Sequence, residues 1–332
     1  MEEEIEDIKK KLKKYSQEHL LNNFENLSEE KQKRLLEQIE NIDFDLIKKL
    51  YDTTQNITTE IQDAEIKPIE FLDKEKLYDD YKKYKEIGEK AIRAKKLAAV
   101  TMAGGQGTRL GHDGPKGTYD IGLESHKSLF ELLSDGLKEQ GKKYGVIIPW
   151  FIMTSRENND ATVDFFAKHR YFGYEKDKNI FFFKQGELPM IDTEGKILIG
   201  EDGLIKEAAN GHGGIYEALV KNGMTKKMRE LGVEWVFIGG VDNCLVKMVD
   251  PVLMGIAIDK NVTAAGKSVV KANPQEKVGV FCKRNGRPSV VEYTEIPKEM
   301  SEATDENGNL IYGESHILCN LFNIDAIERM GS

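Results

Sequence analysis

Cysteine is scarce in this chain. Only Cys244, Cys282 and Cys319 occur in 332 residues, far apart and with no CxxC pair. That argues against a disulfide framework or a structural zinc site, and it suits a reducing compartment. Long apolar runs are missing too, and none approaches the roughly 20 residues needed to cross a bilayer. The opening Met1-Glu2-Glu3-Glu4 is acidic and carries no apolar signal region. A cytoplasmic protein with no membrane partner is the expectation. Nor is there an excess of positive charge, the net charge being −9. Broad nucleic-acid binding through a basic face is therefore disfavoured. A polyanionic ligand would need a local site of backbone amides, a few cations and a metal. Internal repeats and low-complexity tracts are absent as well.

What is present suffices for a globular core: 39% of residues are hydrophobic and 32% charged. The length suggests one large domain with an appendage, or two domains. Residues 1–95 read as a helical region. Ser28 can cap a helix that carries Leu35, Leu36 and Ile39 on one side. From Asp73 to about Lys95, Leu77, Tyr81, Tyr84, Ile87 and Ala91 recur at steps of three and four. Bases and acids interleave there, as on a solvated helix face.

The pattern changes at Leu97, and residues 96–332 read as a second, α/β domain. Leu97-Ala98-Ala99-Val100-Thr101-Met102 looks like a strand buried on both faces. Further strand-like runs are Val146 to Met153, Ile180 to Phe183 and Trp235 to Ile238. Helical stretches lie between them, notably Ala161 to His169 and Lys221 to Glu230. The alternation predicts a mixed, mainly parallel Rossmann-like sheet. Val278 to Lys283 and Val290 to Tyr293 read as an antiparallel pair around Arg284-Asn285-Gly286-Arg287.

The chemistry concentrates directly after the first strand, in Ala103-Gly104-Gly105-Gln106-Gly107-Thr108-Arg109-Leu110-Gly111 and then Pro115-Lys116-Gly117. Glycines let backbone amides approach a ligand with no Cβ in the way. Successive amides after a strand form an anion pocket. Arg109 adds a fork of donors for phosphate oxygens and Lys116 a point charge. A glycine-rich turn that merely joins strand to helix is the bland alternative, and the combined string speaks against it. A P-loop is excluded because Gly107 is followed by Thr108-Arg109, where Lys-Ser or Lys-Thr is required. A dinucleotide fingerprint is excluded because Leu110 stands where the third glycine belongs. Asp242 ends the run Trp235 to Val241. A carboxylate at the C-terminal end of a strand sits where open α/β sheets bind ligands, and it could hold Mg²⁺, a hard cation preferring oxygen. Its alternative reading is a loop cap. Asp250, before Pro251, reads as a turn residue. His19, His112 and His169 read as surface residues.

The string Met102 to Gly117 resembles the signature loop of the UDP-sugar pyrophosphorylases, and within them it is most similar to the N-acetylglucosamine branch. The resemblance continues in order through Ser125 to Phe130, Pro149 to Ser155, Phe165 to Gly173, Gln185-Gly186-Glu187-Leu188-Pro189 and Gly211 to Tyr216. It then takes in Val241-Asp242-Asn243, Asp250-Pro251 and Val291-Glu292-Tyr293, covering roughly Leu97 to Phe322. It implies a nucleotide-diphospho-sugar transferase fold and a uridylyltransferase that joins UTP to a sugar 1-phosphate. The Gly104-Gly105 backbone would face UTP, and Gln185 would read uracil through its amide. Gly213 and Gly214 would admit the base or sugar, Glu292 would accept from a sugar hydroxyl, and Asp242 would hold Mg²⁺. Read alone, Gln185 is a surface glutamine, Gly213-Gly214 a helix-start turn and Glu292 an exposed strand residue. A sugar phosphate is already anionic, so no general base is required. Catalysis would rest on positioning and on charge neutralisation by Mg²⁺, Arg109, Lys116 and backbone amides.

Some positions depart from the family pattern. His212 stands where the N-acetylglucosamine branch usually has Asn. Glucose-type relatives often have His there, followed by Gly-Asp, whereas this chain has Gly213-Gly214. Ser315-His316-Ile317 replaces the usual Gly-Asn-Ile, whose Asn helps hold the sugar. The family also continues beyond the equivalent of Ser332, with a further phosphate-binding lysine, and such a stretch is expected to be missing here. Glucose 1-phosphate or a broader sugar range is the first alternative, and a non-catalytic sugar-nucleotide-binding protein the second. Retention of Arg109, Lys116 and Asp242 together speaks against the latter.

Overall fold

The computed structural model describes residues 2–332, and all their side chains except those of 2–4, 56–63 and His212. The helices are α1 (Glu2–Lys14), α2 (Glu29–Asn41), α3 (Phe44–Asp63), α4 (Tyr81–Arg93), α5 (Leu129–Tyr144), α6 (Asn159–Lys168), α7 (Ile215–Lys221), α8 (Met224–Glu230), α9 (Pro251–Asp259), α10 (Lys298–Glu302) and α11 (Ile324–Gly331). The strands are β1 (Ile66–Pro68), β2 (Leu97–Met102), β3 (Trp150–Thr154), β4 (Ile180–Lys184), β5 (Glu187–Pro189), β6 (Glu207–Ala209), β7 (Trp235–Gly240), β8 (Ala264–Val270), β9 (Val280–Arg284), β10 (Arg287–Val291) and β11 (Glu314–Asn323). They divide into two compact units: Met1–Asp63 with Glu187–Asn210, and Ala64–Gly186 with Gly211–Ser332.

The first unit gathers α1–α3 with the antiparallel pair β5 and β6. Ser28 caps α2 as expected, its hydroxyl accepting from Lys31 N at 3.4 Å, and Leu35, Leu36 and Ile39 are buried. These side chains pack with Leu12, Leu20, Ile197, Leu204 and Ile205 in one core. Gln17 and Gln38 staple the 187–210 segment to the helices. Gln17 donates to Gly195 O and accepts from Ile197 N, both at 2.9 Å. Gln38 does the same to the two polar groups of Ile205. His19 is no free surface residue, since its ring lies 2.8 Å from Ile197 O.

The second unit is built on a sheet of order β1-β9-β11-β7-β2-β3-β4, with β10 on β9 and β8 on β11. Its centre, β7-β2-β3-β4, is parallel throughout, and β11, β9, β8, β10 and β1 add antiparallel pairings. All six residues of β2 are buried, the condition its unbroken apolar run anticipates. Leu97, Ala99, Trp150, Ile152, Trp235 and Phe237 face one core with α4, α5, α6 and α9. Ala98, Val100, Phe151, Met153, Val236 and Ile238 face the other with α7, α8 and α11. This is the period of two that a strand imposes on its side chains.

The structure departs from the sequence reading in several places. β3 begins only at Trp150: Gly145 adopts φ 69° and Val146 N bonds back to Gly141 O to end α5, and of residues 146–149 only Pro149 reaches β2, its carbonyl accepting from Ala99 N. The expected helix Lys221 to Glu230 is broken at Gly223, φ 70°, into α7 and α8. The boundary expected near residue 95 lies inside the second unit, whose compact body already begins at Ala64. Its α4 is fastened to α9 backbone to backbone. A Cβ on Gly88 would lie 1.8 Å from the carbonyl oxygen of Pro251, and one on Gly255 1.8 Å from that of Tyr84. The antiparallel pair β9–β10 forms as expected around Asn285 (φ 50°) and Gly286 (φ 76°). Among the described residues no helix is long and apolar enough to cross a membrane.

The α4–α9 contact yields a stability test. Gly88→Ala or Gly255→Ala gains about 1 kcal/mol of helix propensity. Overpacking costs ~1–3 kcal/mol or more, and here the obstacle is backbone that cannot rotate away. Both variants are therefore expected to unfold at lower urea. An unchanged or higher midpoint would show that these helices do not touch.

Candidate nucleotide site

Parallel register brings the candidate residues to one edge. Met102 is level with Gly240 and Met153, and Met153 with Phe183, so β7, β2, β3 and β4 end together. The chain continues this alignment one residue further: Val241 N bonds Met102 O, Ala103 N bonds Met153 O and Gln185 N bonds Thr154 O. The loop after β2, Asp242 after β7 and Gln185 after β4 thus emerge from the C-terminal edge, as expected.

The loop is a hairpin of its own. Gly107 N donates to Gly114 O at 2.8 Å and Lys116 N to Gly105 O at 3.1 Å. Gln106 and Pro115 face each other between these two bonds. The backbone N–H groups of Gly104, Gly105 and Gln106 have no hydrogen-bond partner among the described residues. Unclaimed amides in succession, beside a sheet edge, are of the kind that can donate to an anion. His112 lies within the loop, its ring 2.7 Å from Thr118 Oγ1 and edge-on to Tyr119, so it is half-buried rather than a surface residue. Gly117 of the Pro-Lys-Gly triplet has a packing reason: a Cβ there would lie 2.2 Å from the buried Phe130 ring.

Two side chains meet across the strand ends. Lys116 Nζ lies 3.3 Å from Asp242 Oδ2, with the lysine half-buried and the aspartate 64% exposed. Gln185 packs against the loop, where a Cβ on Gly104 would come within 2.7 Å of its Oε1 and 2.9 Å of its Nε2. Arg109 is exposed and makes no hydrogen bond or ion pair among the described residues, so it stands outside the Lys116–Asp242 pair. Gly213 and Gly214 form the turn that enters α7, and a Cβ on Gly213 would meet nothing within 4 Å. Glu292 follows β10 and is exposed, its Oε1 3.1 Å from the Cβ position of Gly279. No hydrogen bond or ion pair among the described residues ties Gly213, Gly214 or Glu292 to Lys116 and Asp242. The side chain of His212 lies outside the described residues. His126 serves Asp120 at 3.0 Å. The Gly122 amide and then His126 hold the Asp120 carboxyl below its usual range. Asp250 caps α9 through Val252 N and Leu253 N and pairs with Lys267, so it plays the structural part expected of it.

Among the described residues no three His, Cys, Asp or Glu side chains group to hold a metal by themselves. Mg²⁺ does not require such a cage. It keeps several waters and is commonly held by one or two carboxylates together with substrate phosphates. Asp242, exposed at the strand ends beside the unclaimed amides, suits that mode.

Residues 42–330 match the family described as UTP–glucose-1-phosphate uridylyltransferase. The chain belongs to this family. Similar proteins include UDP-N-acetylglucosamine diphosphorylase 2 of Arabidopsis thaliana, 40% identical over 272 residues, covering 78% of the chain and 54% of the relative. The UDP-N-acetylglucosamine pyrophosphorylase of Saccharomyces cerevisiae is 39% identical, covering 80% and 57%. The chain therefore spans about half the length of these curated relatives. The solved uridine diphosphate N-acetylglucosamine pyrophosphorylase of Trypanosoma brucei superposes with a TM-score of 0.83 at 30% identity, covering 99% of this chain and 69% of that one. A UDP-glucose phosphorylase of Trypanosoma brucei, 16% identical with a TM-score of 0.64, shares the fold.

Sequence reasoning missed Asn158, which is fully buried and bonded to the loop at Ala103 O and Gly105 O. Its only local signal was its place in Thr154-Ser155-Arg156-Glu157-Asn158, between a strand and a helix, where Asn reads as a cap. The Gly104–Gln185 contact can be tested by substitution. In Gly104→Ala the new methyl displaces a flexible side chain rather than backbone. The unfolding free energy should change by less than about 1 kcal/mol, while a crystal structure of the variant shows the Gln185 amide turned away. An amide unmoved beside the new methyl would contradict the contact.

Proposed function

We propose that this chain carries uridylyl transfer: the phosphate oxygen of a sugar 1-phosphate attacks the α-phosphorus of UTP in line, and pyrophosphate leaves. The observation that carries the reading is the group of three unclaimed amides, Gly104 to Gln106, beside the Lys116–Asp242 pair at one sheet edge. Donors fixed before the ligand arrives cost no reorganisation when charge develops. Lys116 and Arg109 neutralise phosphate charge, and Gln185 reads uracil against Gly104. Gly213 and Gly214 leave room for base and sugar, and Glu292 accepts from a sugar hydroxyl. Asp242 holds Mg²⁺, which when bound supplies further charge neutralisation on the phosphates. No group need remove a proton, because the nucleophile is already an anion.

N-acetylglucosamine 1-phosphate is the proposed sugar, with glucose 1-phosphate as runner-up. The names of the relatives near 40% identity support this choice. So does Gly214, whose lack of a side chain leaves space that an aspartate would fill. The three free cysteines suit a reducing compartment, and the cytoplasm is the proposed location.

The deciding assay is pyrophosphate release from UTP by the full-length protein with a panel of sugar 1-phosphates. Release with none of them would overturn the reading. Lys116→Ala should lower turnover by about 10² or more, and Asp242→Asn should weaken the dependence on Mg²⁺. Parent-like kinetics in both would remove these residues from their roles. Gly214 adopts φ −66°, which aspartate tolerates. Gly214→Asp should reduce kcat/KM for the N-acetylated sugar more than for glucose 1-phosphate. An equal loss on both sugars would defeat the argument from Gly214.

A further inference from the structure

We propose that Asn158 is a positioning residue for the phosphate loop, a role that rests on the uridylyl-transfer reading of that loop. Its side chain is fully buried between β3 and α6, and every part of it is engaged. Nδ2 donates to Ala103 O at 2.9 Å and to Gly105 O at 3.3 Å. Oδ1 accepts from Ser155 N at 2.9 Å, while Ser155 Oγ accepts from Asn158 N at 3.1 Å.

The consequence follows from the peptide group itself. A trans peptide is planar, and its C=O and N–H point in opposite directions. Holding the Ala103 carbonyl inward therefore turns the Gly104 N–H outward. Holding the Gly105 carbonyl inward does the same for the Gln106 N–H. These are two of the three amides that lack a partner. The Gly105 carbonyl also accepts from Lys116 N at 3.1 Å, so the same anchor reaches the residue whose ammonium meets Asp242. One buried amide side chain thus orients the backbone donors and is one step from the cation. A cap uses only the side-chain oxygen. Here the nitrogen is committed to the neighbouring strand's loop, which a capping role does not require.

Asn158→Asp separates these roles. It has nearly the same shape and keeps an oxygen for Ser155 N, but it places an oxygen against two carbonyls. Asn158→Ser, which retains a short polar group and loses the reach, serves as the second variant. Three measurements are made on each: steady-state kinetics in both substrates, urea unfolding, and hydrogen exchange of the bonded amides of Ala103, Gly107 and Lys116. In Asn158→Asp, kcat/KM for UTP should fall about 10–10²-fold, the scale of a misplaced reacting group. KM for the sugar 1-phosphate should change little, and exchange of the bonded Ala103, Gly107 and Lys116 amides should accelerate in both variants. Parent-like UTP kinetics and exchange in Asn158→Asp would overturn the proposal. So would an equal loss in both substrates that tracks a lowered unfolding midpoint. If the parent protein itself does not turn over UTP, the transferase reading falls, and the exchange data alone decide: faster exchange keeps the anchor, unchanged exchange removes it.

Discussion

The site depends on the register of four parallel strands. Parallel pairing fixes which residues are level, and β7, β2, β3 and β4 run out together. Three loops far apart in sequence then start from one line. Nothing in the Gly104–Gly107 segment would place Asp242 or Gln185 beside it without that alignment. The alignment is maintained by burial on both faces: β2, β3 and β7 contribute alternate residues to two separate cores. A one-residue slip would exchange the faces of every side chain, so the packing of the cores protects the geometry of the edge.

The loop adds a second level of order. Its carbonyls at Ala103 and Gly105 are taken up by Asn158 and Lys116, and the intervening amides are left over. Donor direction is thereby settled during folding rather than during binding. The glycines have distinct parts in this. Gly104 makes room for the Gln185 amide, whereas Gly117 makes room for Phe130. Two glycines of one motif thus answer to different neighbours, one polar and half-buried, the other a core ring.

Much of this was legible in the residues. The six-residue apolar run of β2 announces a strand buried on both sides, and the glycine-rich string directly after it announces the loop whose amides stay unclaimed. Asp242 is legible because it ends another buried run. The Asn285-Gly286 turn is legible because its positive φ angles demand those residue types. What the sequence hid is non-local. The 187–210 segment joins the N-terminal helices through Gln17 and Gln38, whose partners lie more than a hundred residues away. β11 was not read as a strand; it carries a register shift near Leu318, φ 52°, which spoils its alternation. Asn158 was hidden because its local surroundings suit a cap. Val146 to Pro149 misled because an apolar run can end a helix as well as begin a strand.

The Lys116–Asp242 pair bears on how an anion would find this edge. Each side chain cancels the other while they remain together, in a chain whose overall charge is −9. At a distance that pair therefore exerts little pull on a polyanion, which leaves the exposed Arg109 and, at contact, the unclaimed amides. A nucleotide already carrying a divalent cation approaches with less charge to be repelled, and it brings its own partner for the carboxylate. Were the lysine to take a phosphate and the aspartate the cation, neither charge would be left stranded. Encounter would respond to the supply of divalent cation more than to long-range steering, which oppositely charged clefts rely upon.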